Sequence, residues 1–311
     1  MSEHFLVTGC AGFIGGAVVR LLLSKGYKVR GVDDFSTGLR SNIERFGSTI
    51  EFMEGDISDF SLALKACKSV DRIIHLASIP SVARSLVDPL ASVRSSVMSS
   101  VALFHAAHQS GVKRIVQAGS SSVYGASQLL PKEESHTPLP MSPYAASKLA
   151  QENYAHAFWC CFKLEVVTLR LFNVYGGGQN PNGDYAAVIP RFIVKMLNGE
   201  VPTIYGDGNQ SRDFTYVEDV AEAFLQTSVA KRELGAGVYN AARGDESSLL
   251  DLVEQLNMLL GTNITPNFET ARVGDVRHSR GNPTRLREAV GYYPLTSFAD
   301  GLRKTVSYYR G

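Results

Sequence analysis

Three residue types at two places in the chain could carry proton chemistry. The segment Ser142-Pro143-Tyr144-Ala145-Ala146-Ser147-Lys148 reads as a helix start, with serine at the N-cap and proline in the first helical position. Tyr144 and Lys148 are then four residues apart and share a face. Tyr144 falls in the first turn, near the positive end of the helix dipole, and a lysine beside it favours the phenolate further. The expectation is a tyrosine of lowered pKa, able to act as base and acid near neutral pH. A surface Tyr/Lys pair is common and proves nothing alone. Here it follows Ser120-Ser121-Ser122, a run of hydroxyls that closes an apolar strand pattern.

The second informative feature is a glycine turn. Gly9-x-x-Gly12-x-x-Gly15 lies between the apolar run Phe5-Leu6-Val7 and a helical pattern from Gly12 to Lys25. Without Cβ atoms the chain can turn tightly and approach a pyrophosphate, and the last glycine allows close packing of helix on strand. Phosphates then sit at the helix N-terminus, where free N–H groups and the dipole favour anions. Asp33 follows eighteen positions after Gly15, at the end of the second strand pattern. An acid there accepts from ribose hydroxyls and repels a 2′-phosphate, so NAD is favoured over NADP. Arg30 and Arg40 lie near enough in sequence to suit such a phosphate. Asp56, in Gly55-Asp56-Ile57, could accept from an adenine amino group or cap the next helix.

The elements that must position these groups alternate through the first 170 residues. Short β-branched-rich runs occur at Phe5-Leu6-Val7, Val29–Val32, Ile50–Met53, Arg72–Leu76, Ile115–Ala118 and Val166–Leu171. They read as strands buried on both faces. Helical patterns separate them, including one after Asp88-Pro89 with Leu90, Val93, Val97, Val101 and Phe104 at helical spacing, and one from Pro143 to Phe162. The expected fold class is α/β, a doubly wound parallel Rossmann sheet with a smaller, interleaved C-terminal lobe. Residues 1–172 form the nucleotide-binding domain, which also receives parts of about 213–245, and residues 173–311 form mainly the substrate lobe. Glycine, proline, asparagine and aspartate crowd residues 173–215, which read as loops around short elements. Helical patterns return near Glu218–Ala230, near Ser247–Leu260 and at the C-terminus.

Composition removes several classes. The chain has 311 residues, 44% of them hydrophobic, with Lys+Arg 31 against Asp+Glu 30. That balance argues against a nucleic-acid face, and the length is enough for a core without metal or disulfide staples. No apolar run reaches the roughly 18 residues that span a bilayer, and MSEHFLVTGC lacks the pattern of a signal peptide, so a reducing cytoplasm is expected. Cys10, Cys67, Cys160 and Cys161 form no CxxC pair and no zinc spacing; packing is their expected role, and no metal is expected. His75, ending an apolar strand, reads as a packed histidine.

Taken together these segments resemble the extended short-chain dehydrogenase/reductase family, and within it the nucleotide-sugar 4-epimerases. The resemblance covers nearly the whole chain. It rests on TGCAGFIG at 8–15, VDDFSTG at 32–38, GDI at 55–57, HLAS at 75–78, SSSVYG at 120–125, SPYAASK at 142–148, LRLFNVYG at 169–176, PNGDYAAVIPRF at 181–192, GDGNQSRDFTYVEDVA at 206–221 and GDVRHS at 274–279. PNGDYAAVIP, SVARS at 81–85 and GDVRHS look especially like bacterial epimerases acting on UDP-N-acetylhexosamines.

The resemblance implies NAD as cofactor, held by Gly9, Gly12, Phe13, Ile14, Gly15, Asp33, Asp34, Ser36, Gly38, Asp56, Ile57, Leu76, Ala77, Tyr144 and Lys148. It implies a UDP-sugar substrate. Ser120 bonds the reacting hydroxyl, Tyr144 is the acid/base, and Lys148 holds the nicotinamide ribose and tunes Tyr144. Asn173 and Arg212 contact the diphosphate region, Arg272 binds phosphate, and Asp275 binds the uridine ribose. Arg84, Ser122, Ala187, Val188, Tyr205 and Ser279 complete the implied substrate contacts. The implied reaction oxidises the sugar at C4, turns the keto sugar about its diphosphate link and reduces it on the other face. The helices at 89–110 and 143–162 pair in dimers of related proteins, so a homodimer is implied.

Two departures stand out: Ser78 where the family usually has alanine, and Ser96 where it usually has asparagine. The family's dehydratases carry an acid pair after the catalytic Ser/Thr, and its decarboxylases usually carry a glutamate at the second of those positions; here they are Ser121 and Ser122. Epimerase is therefore the expected activity. Decarboxylase, dehydratase and keto-sugar reductase are the alternatives, and a non-catalytic NAD sensor or scaffold is the reading from outside enzymology.

Overall fold

In a computed structural model, residues 3–182, 186–271 and 277–311 are described. The strands are β1 (His4–Thr8), β2 (Lys28–Asp33), β3 (Glu51–Glu54), β4 (Arg72–His75), β5 (Arg114–Ser120), β6 (Glu165–Leu171), β7 (Asn173–Tyr175), β8 (Thr203–Tyr205), β9 (Ser211–Arg212), β10 (Phe214–Tyr216), β11 (Val238–Ala241), β12 (Ser247–Ser248), β13 (Asn267–Glu269) and β14 (His278–Ser279). The helices are α1 (Phe13–Ser24), α2 (Arg40–Glu44), α3 (Phe60–Cys67), α4 (Val82–Val87), α5 (Pro89–Ser92), α6 (Ser99–Gln109), α7 (Pro143–Phe162), α8 (Val188–Leu197), α9 (Val217–Val229), α10 (Leu249–Leu260), α11 (Thr284–Val290) and α12 (Phe298–Arg310).

Seven strands form one parallel sheet in the order β11-β6-β5-β4-β1-β2-β3. Its strands are the six apolar runs of the first 170 residues plus β11, which comes from 238–241 and pairs with β6. Helices cover both faces: α1 and α9 pack together on one, α3, α6 and α7 on the other. Strands buried on both sides need apolar residues at consecutive positions, and Phe5, Leu6 and Val7 are all fully buried. The order of strands reverses between β1 and β4. Ligands of such sheets bind at that switch point, outside the carboxyl ends of the strands.

Three smaller sheets lie beyond β6. They are β7 with β10, β12-β9-β14, and β8 with β13. Their strands are two or three residues long, so glycine and proline density gave them a loop-like sequence. That density also hid α8. Pro190 sits in the first turn of α8, where no intrahelical N–H bond is lost, and Ile189, Phe192, Ile193 and Met196 bury its apolar face.

The helical segment after Asp88-Pro89 is not one continuous α-helix. Its helix is interrupted by a π-helical turn, Val93–Met98. Ser92, Ser96, Ser99 and Ser100 face inward, whereas Leu90 and Val93 are exposed. Serines are small enough to let this segment approach α7 closely, so the first part of the apolar stripe, Leu90 and Val93, is turned outward, while its last residue, Phe104, is buried. Below the site, α7 is fastened to β6 by a buried ion pair: Arg170 donates to both carboxylate oxygens of Glu152 at 2.9 and 2.7 Å and stacks on Tyr124.

Candidate active site

The glycine turn sits where β1 ends. Gly9 has φ +69°, and a Cβ there would stand 2.8 Å from the backbone nitrogen of Ala77; one on Gly15 would stand 2.0 Å from the Gly9 carbonyl oxygen. The turn is thus closed against both α1 and the segment after β4. Gly12 is the N-cap of α1 and supplies no side chain to the first-turn N–H groups, and the first turn has no acid. Phe13, Ile14 and Gly15 begin that helix, and their end of it is open to an anion.

Asp33 is almost fully buried at the end of β2 and accepts from Ala11 N–H and Phe35 N–H, each at 2.8 Å, one on each oxygen. Burial pushes its carboxyl above the usual range, while the two backbone bonds work in the opposite direction. Each oxygen keeps a free lone-pair direction for a ribose hydroxyl. Asp34 accepts from Ser36 N–H and both are exposed, while Gly38 abuts Ala11. The two arginines that could have suited a 2′-phosphate are engaged elsewhere. Arg30 binds Glu51 and the carbonyls of Ala66 and Lys68; Arg40 binds Glu54 and lies over the Phe35 ring. Asp56 is exposed and accepts from Ser58 N–H, whereas the cap of α3 is Asp59, which removes the capping alternative for Asp56. Ile57 is buried. Leu76 and Ala77 donate their N–H groups to Thr8 Oγ1.

On the opposite wall, Ser142 caps α7 by accepting from Ala145 N–H, and Pro143 takes the first helical position. Tyr144 is half-buried and Lys148 is buried. Lys148 donates to the Ala118 carbonyl at 3.0 Å, and its Nζ lies 5.9 Å from the centre of the Tyr144 ring. Ser120, at the end of β5, accepts from the N–H of Ser122 at 3.2 Å and from its hydroxyl at 2.8 Å. With both acceptor positions filled, the Ser120 proton is directed outward, and its hydrogen bond to Tyr144 favours the phenolate. Ser122, expected at the substrate, therefore also orients Ser120.

The expected lowering of the Tyr144 pKa is not found in the chain by itself. Burial raises it, and only the Ser120 hydrogen bond opposes that. Lys148 does not offset the effect because it is desolvated too: burial pushes its pKa down to about 7, against the pull of Glu152. Helix position and spacing were readable in the sequence; the cost of burying both groups was not.

Most of the residues expected to contact the substrate lie in or beside the small sheets. Asn173, exposed, opens β7; Arg212 is on β9; Ser279, half-buried, is the partner of Arg212 on β14. Arg212 donates to the carbonyl of Ser211. Tyr205 ends β8, Ala187 and Val188 start α8, and Arg84 lies exposed on α4. Arg272 and Asp275 lie outside the described residues. The sequence reading missed Asp213. It is fully buried and accepts from the N–H groups of Arg243, Gly244 and Gly281 at 2.9, 3.0 and 3.2 Å, while its own N–H donates to the Ser279 carbonyl. Burial pushes its carboxyl up to about 6. The signal was present: an acid between Arg212 and Phe214, inside a strand pattern.

An anion-ready glycine turn facing a hydroxyl, a phenol and an amine is the equipment of a Rossmann-class enzyme that uses a dinucleotide to act on an alcohol carbon. Comparison with known proteins narrows the class: the chain belongs to the NAD dependent epimerase/dehydratase family, whose pattern matches residues 5–242, and its cofactor is NAD. It is 37% identical over 310 residues to the UDP-glucose 4-epimerase of Mycolicibacterium smegmatis, covering 98% of each chain. Its fold matches the UDP-N-acetylglucosamine 4-epimerase of Methanobrevibacter ruminantium, solved with UDP-N-acetylmuramic acid, with TM-score 0.94, 35% identity and coverage of 100% and 99%. It matches the UDP-glucose 4-epimerase of Thermus thermophilus, solved with NAD, with TM-score 0.89, 32% identity and 99% coverage of both chains. No helix among the described residues is long and apolar enough to cross a membrane.

Asp33 holds the turn and is expected to accept from the cofactor ribose, so Asp33→Ala is expected to weaken both dinucleotides but NAD the more. The loss for NADH should be about tenfold, the worth of one charge-assisted hydrogen bond. NADPH should lose less, because a repulsion disappears with the carboxylate. Fluorescence titration with NADH and NADPH measures the ratio; an unchanged ratio would confine Asp33 to the turn.

Proposed function

We infer that the protein is a UDP-hexose 4-epimerase, interconverting UDP-GlcNAc with UDP-GalNAc and UDP-glucose with UDP-galactose. The observation that carries this reading is the composition of the Ser120 turn. Ser121 and Ser122 stand where the family's lyases place acids, and Ser122 spends its hydroxyl on Ser120. That wall offers no acid to expel water or assist loss of CO2. The relatives named above support the substrate class.

In this reading Tyr144 takes the proton of the sugar 4-hydroxyl, Ser120 aligns that oxygen, and Lys148 holds the phenol and the cofactor ribose. NAD, when bound, would supply the ring chemistry for reversible hydride transfer at the sugar C4. Once the keto sugar has turned about its diphosphate link so that its other face meets the hydride, Tyr144 gives the proton back to the 4-oxygen, so nothing is oxidised overall. Asn173, Arg212 and Arg272 hold the diphosphate, Asp275 the uridine ribose, and Asp33 the adenosine ribose. Residues 1–172 with parts of 213–245 serve the cofactor and the remainder of 173–311 the UDP-sugar. The reducing cytoplasm, where nucleotide sugars and NAD occur together, is the proposed compartment. Incubation with UDP-sugars tests the activity: an epimer formed without added cofactor supports it, whereas loss of CO2 or water, or a need for added NADH, overturns it.

The proposed assembly is a homodimer. Leu86, Val87 and Leu90 are 67%, 78% and 78% exposed, and Val93 and Met98 continue the strip beside Tyr154 and Phe162 of α7. These helices pack side by side, so the strip is one face. A second copy of the same face covers it. Light scattering at micromolar concentration should give twice 33.8 kDa. A monomer would overturn the assignment.

Tyr144→Phe removes one oxygen. Turnover should fall by about 10²–10⁴-fold with NAD content unchanged. Activity within about threefold of wild type would take Tyr144 out of the mechanism.

Ser279 sits beside Arg212, at the place the family resemblance assigns to the sugar C2 substituent. A serine leaves room for an N-acetyl group. Ser279→Tyr should suppress turnover of UDP-GlcNAc by steric overlap and spare UDP-glucose. Wild-type rates on UDP-GlcNAc in the mutant would move Ser279 out of the pocket.

A further inference from the structure

Thr8 and His75 are facing residues at the ends of β1 and β4, across the switch point of the sheet. Thr8 Oγ1 accepts from the N–H groups of Leu76 and Ala77, both at 3.2 Å, so its own proton goes to His75 Nδ1 at 2.7 Å. The other ring nitrogen, Nε2, then carries the imidazole proton and donates it to Ser100 Oγ at 3.1 Å. Ser100 gives its hydroxyl proton to the Ser96 carbonyl at 2.7 Å and accepts a second bond from Gln151 Nε2. Gln151 lies on α7, three residues beyond Lys148. Thr8, His75, Ser100 and Gln151 are all buried. The two bonds that Thr8 accepts fix the His75 tautomer, and no member of the path is charged. Burial and the nearby Lys148 hold the His75 pKa down to about 3, so the ring stays neutral.

We propose that His75 is a positioning residue of the cofactor cleft. As the neutral Nε2–H tautomer it ties the end of β1, and with it the glycine turn, to α6, and through Ser100 to the helix that carries Tyr144 and Lys148. The two walls of the cleft come from different parts of the chain, and displacement of reacting groups by about 1 Å can cost on the order of 10²-fold in rate. Water is excluded from this seam, so a polar connection there has no substitute, and cutting it leaves buried groups unpaired. The proposal rests on the reading of Tyr144 and Lys148 as the acid/base pair.

The test uses the full chain and four variants. His75→Leu should weaken NAD binding in calorimetry by about tenfold and lower kcat by ten- to a hundredfold, with KM for the UDP-sugar within about twofold. His75→Gln, which can both accept from Thr8 and donate to Ser100, should stay within about threefold of wild type in both. Ser100→Ala cuts the path without altering His75 and carries the test if the leucine variant does not fold; it should lower kcat by about tenfold. In wild type, ¹⁵N NMR of labelled histidine should show one ring with a protonated Nε2 and an unprotonated Nδ1, unchanged from pH 5.5 to 8.5. Tyr144→Phe is the control: if it keeps turnover, the catalytic reading fails, while NAD affinity and the His75 tautomer still decide this proposal. A titrating or Nδ1–H ring would overturn it. So would wild-type behaviour in the folded leucine or Ser100→Ala variant, or a folded glutamine variant as impaired as leucine.

Discussion

At the carboxyl end of the sheet, the backbone after β1 and the backbone after β4 touch. Gly9 lies against Leu76 and Ala77 so closely that a Cβ would overlap main-chain atoms of both. The rest of the nucleotide wall depends on that approach. It aims the first turn of α1, it brings Ala11 under the Asp33 carboxylate, and it places Thr8 where it accepts from two N–H groups at once. A side chain at Gly9 could be housed only by moving β1 away from β4, and every one of these contacts would move with it. The glycine is also needed for its positive φ, so two independent constraints meet at one residue.

The opposite wall is built on a conflict. The phenol proposed as base and the amine proposed to support it are both withdrawn from water, and withdrawal favours the neutral form of each. The chain alone therefore holds a protonated tyrosine beside a lysine that readily loses its charge. In the proposed mechanism the positive ring of bound NAD would supply the charge this pair lacks, so the acid/base group would be completed by the cofactor. Glu152 sits one turn beyond Lys148 and favours its charged form, yet most of that carboxylate is committed to Arg170.

Much of this was legible in the residues. The six apolar runs became six strands of the parallel sheet; in all but the edge strand β3, burial on both faces demands largely continuous apolar sequence, a signal that needs no tertiary knowledge. The glycine turn and the Ser142-Pro143 helix start were readable for the same reason, since local backbone geometry selects those residue types. What escaped depends on the third dimension. The stripe of Leu90 and Val93 has helical spacing whichever way it faces, and spacing alone could not tell that the serines between would be buried. Ser78 and Ser96, each a departure from the family pattern when read singly, lie 3.0 Å apart and bond to one another, so they are one change made twice. Asp213 was hidden because its partners lie 30 to 68 residues away.

That last carboxylate has a consequence for how the molecule is made. The strands of the small sheets are too short to hold by ladder bonds, and a single buried Asp213 gathers the loops at Arg243, Gly244 and Gly281 in their place. The amino-terminal sheet strands can pair as they leave the ribosome, each next to one already present or soon to follow. The β12-β9-β14 sheet has no such order. Until residue 281 has emerged, the carboxylate lacks its third donor and β9 lacks β14, so on a growing chain the six amino-terminal strands can pair while this small sheet waits for the last tenth of the sequence.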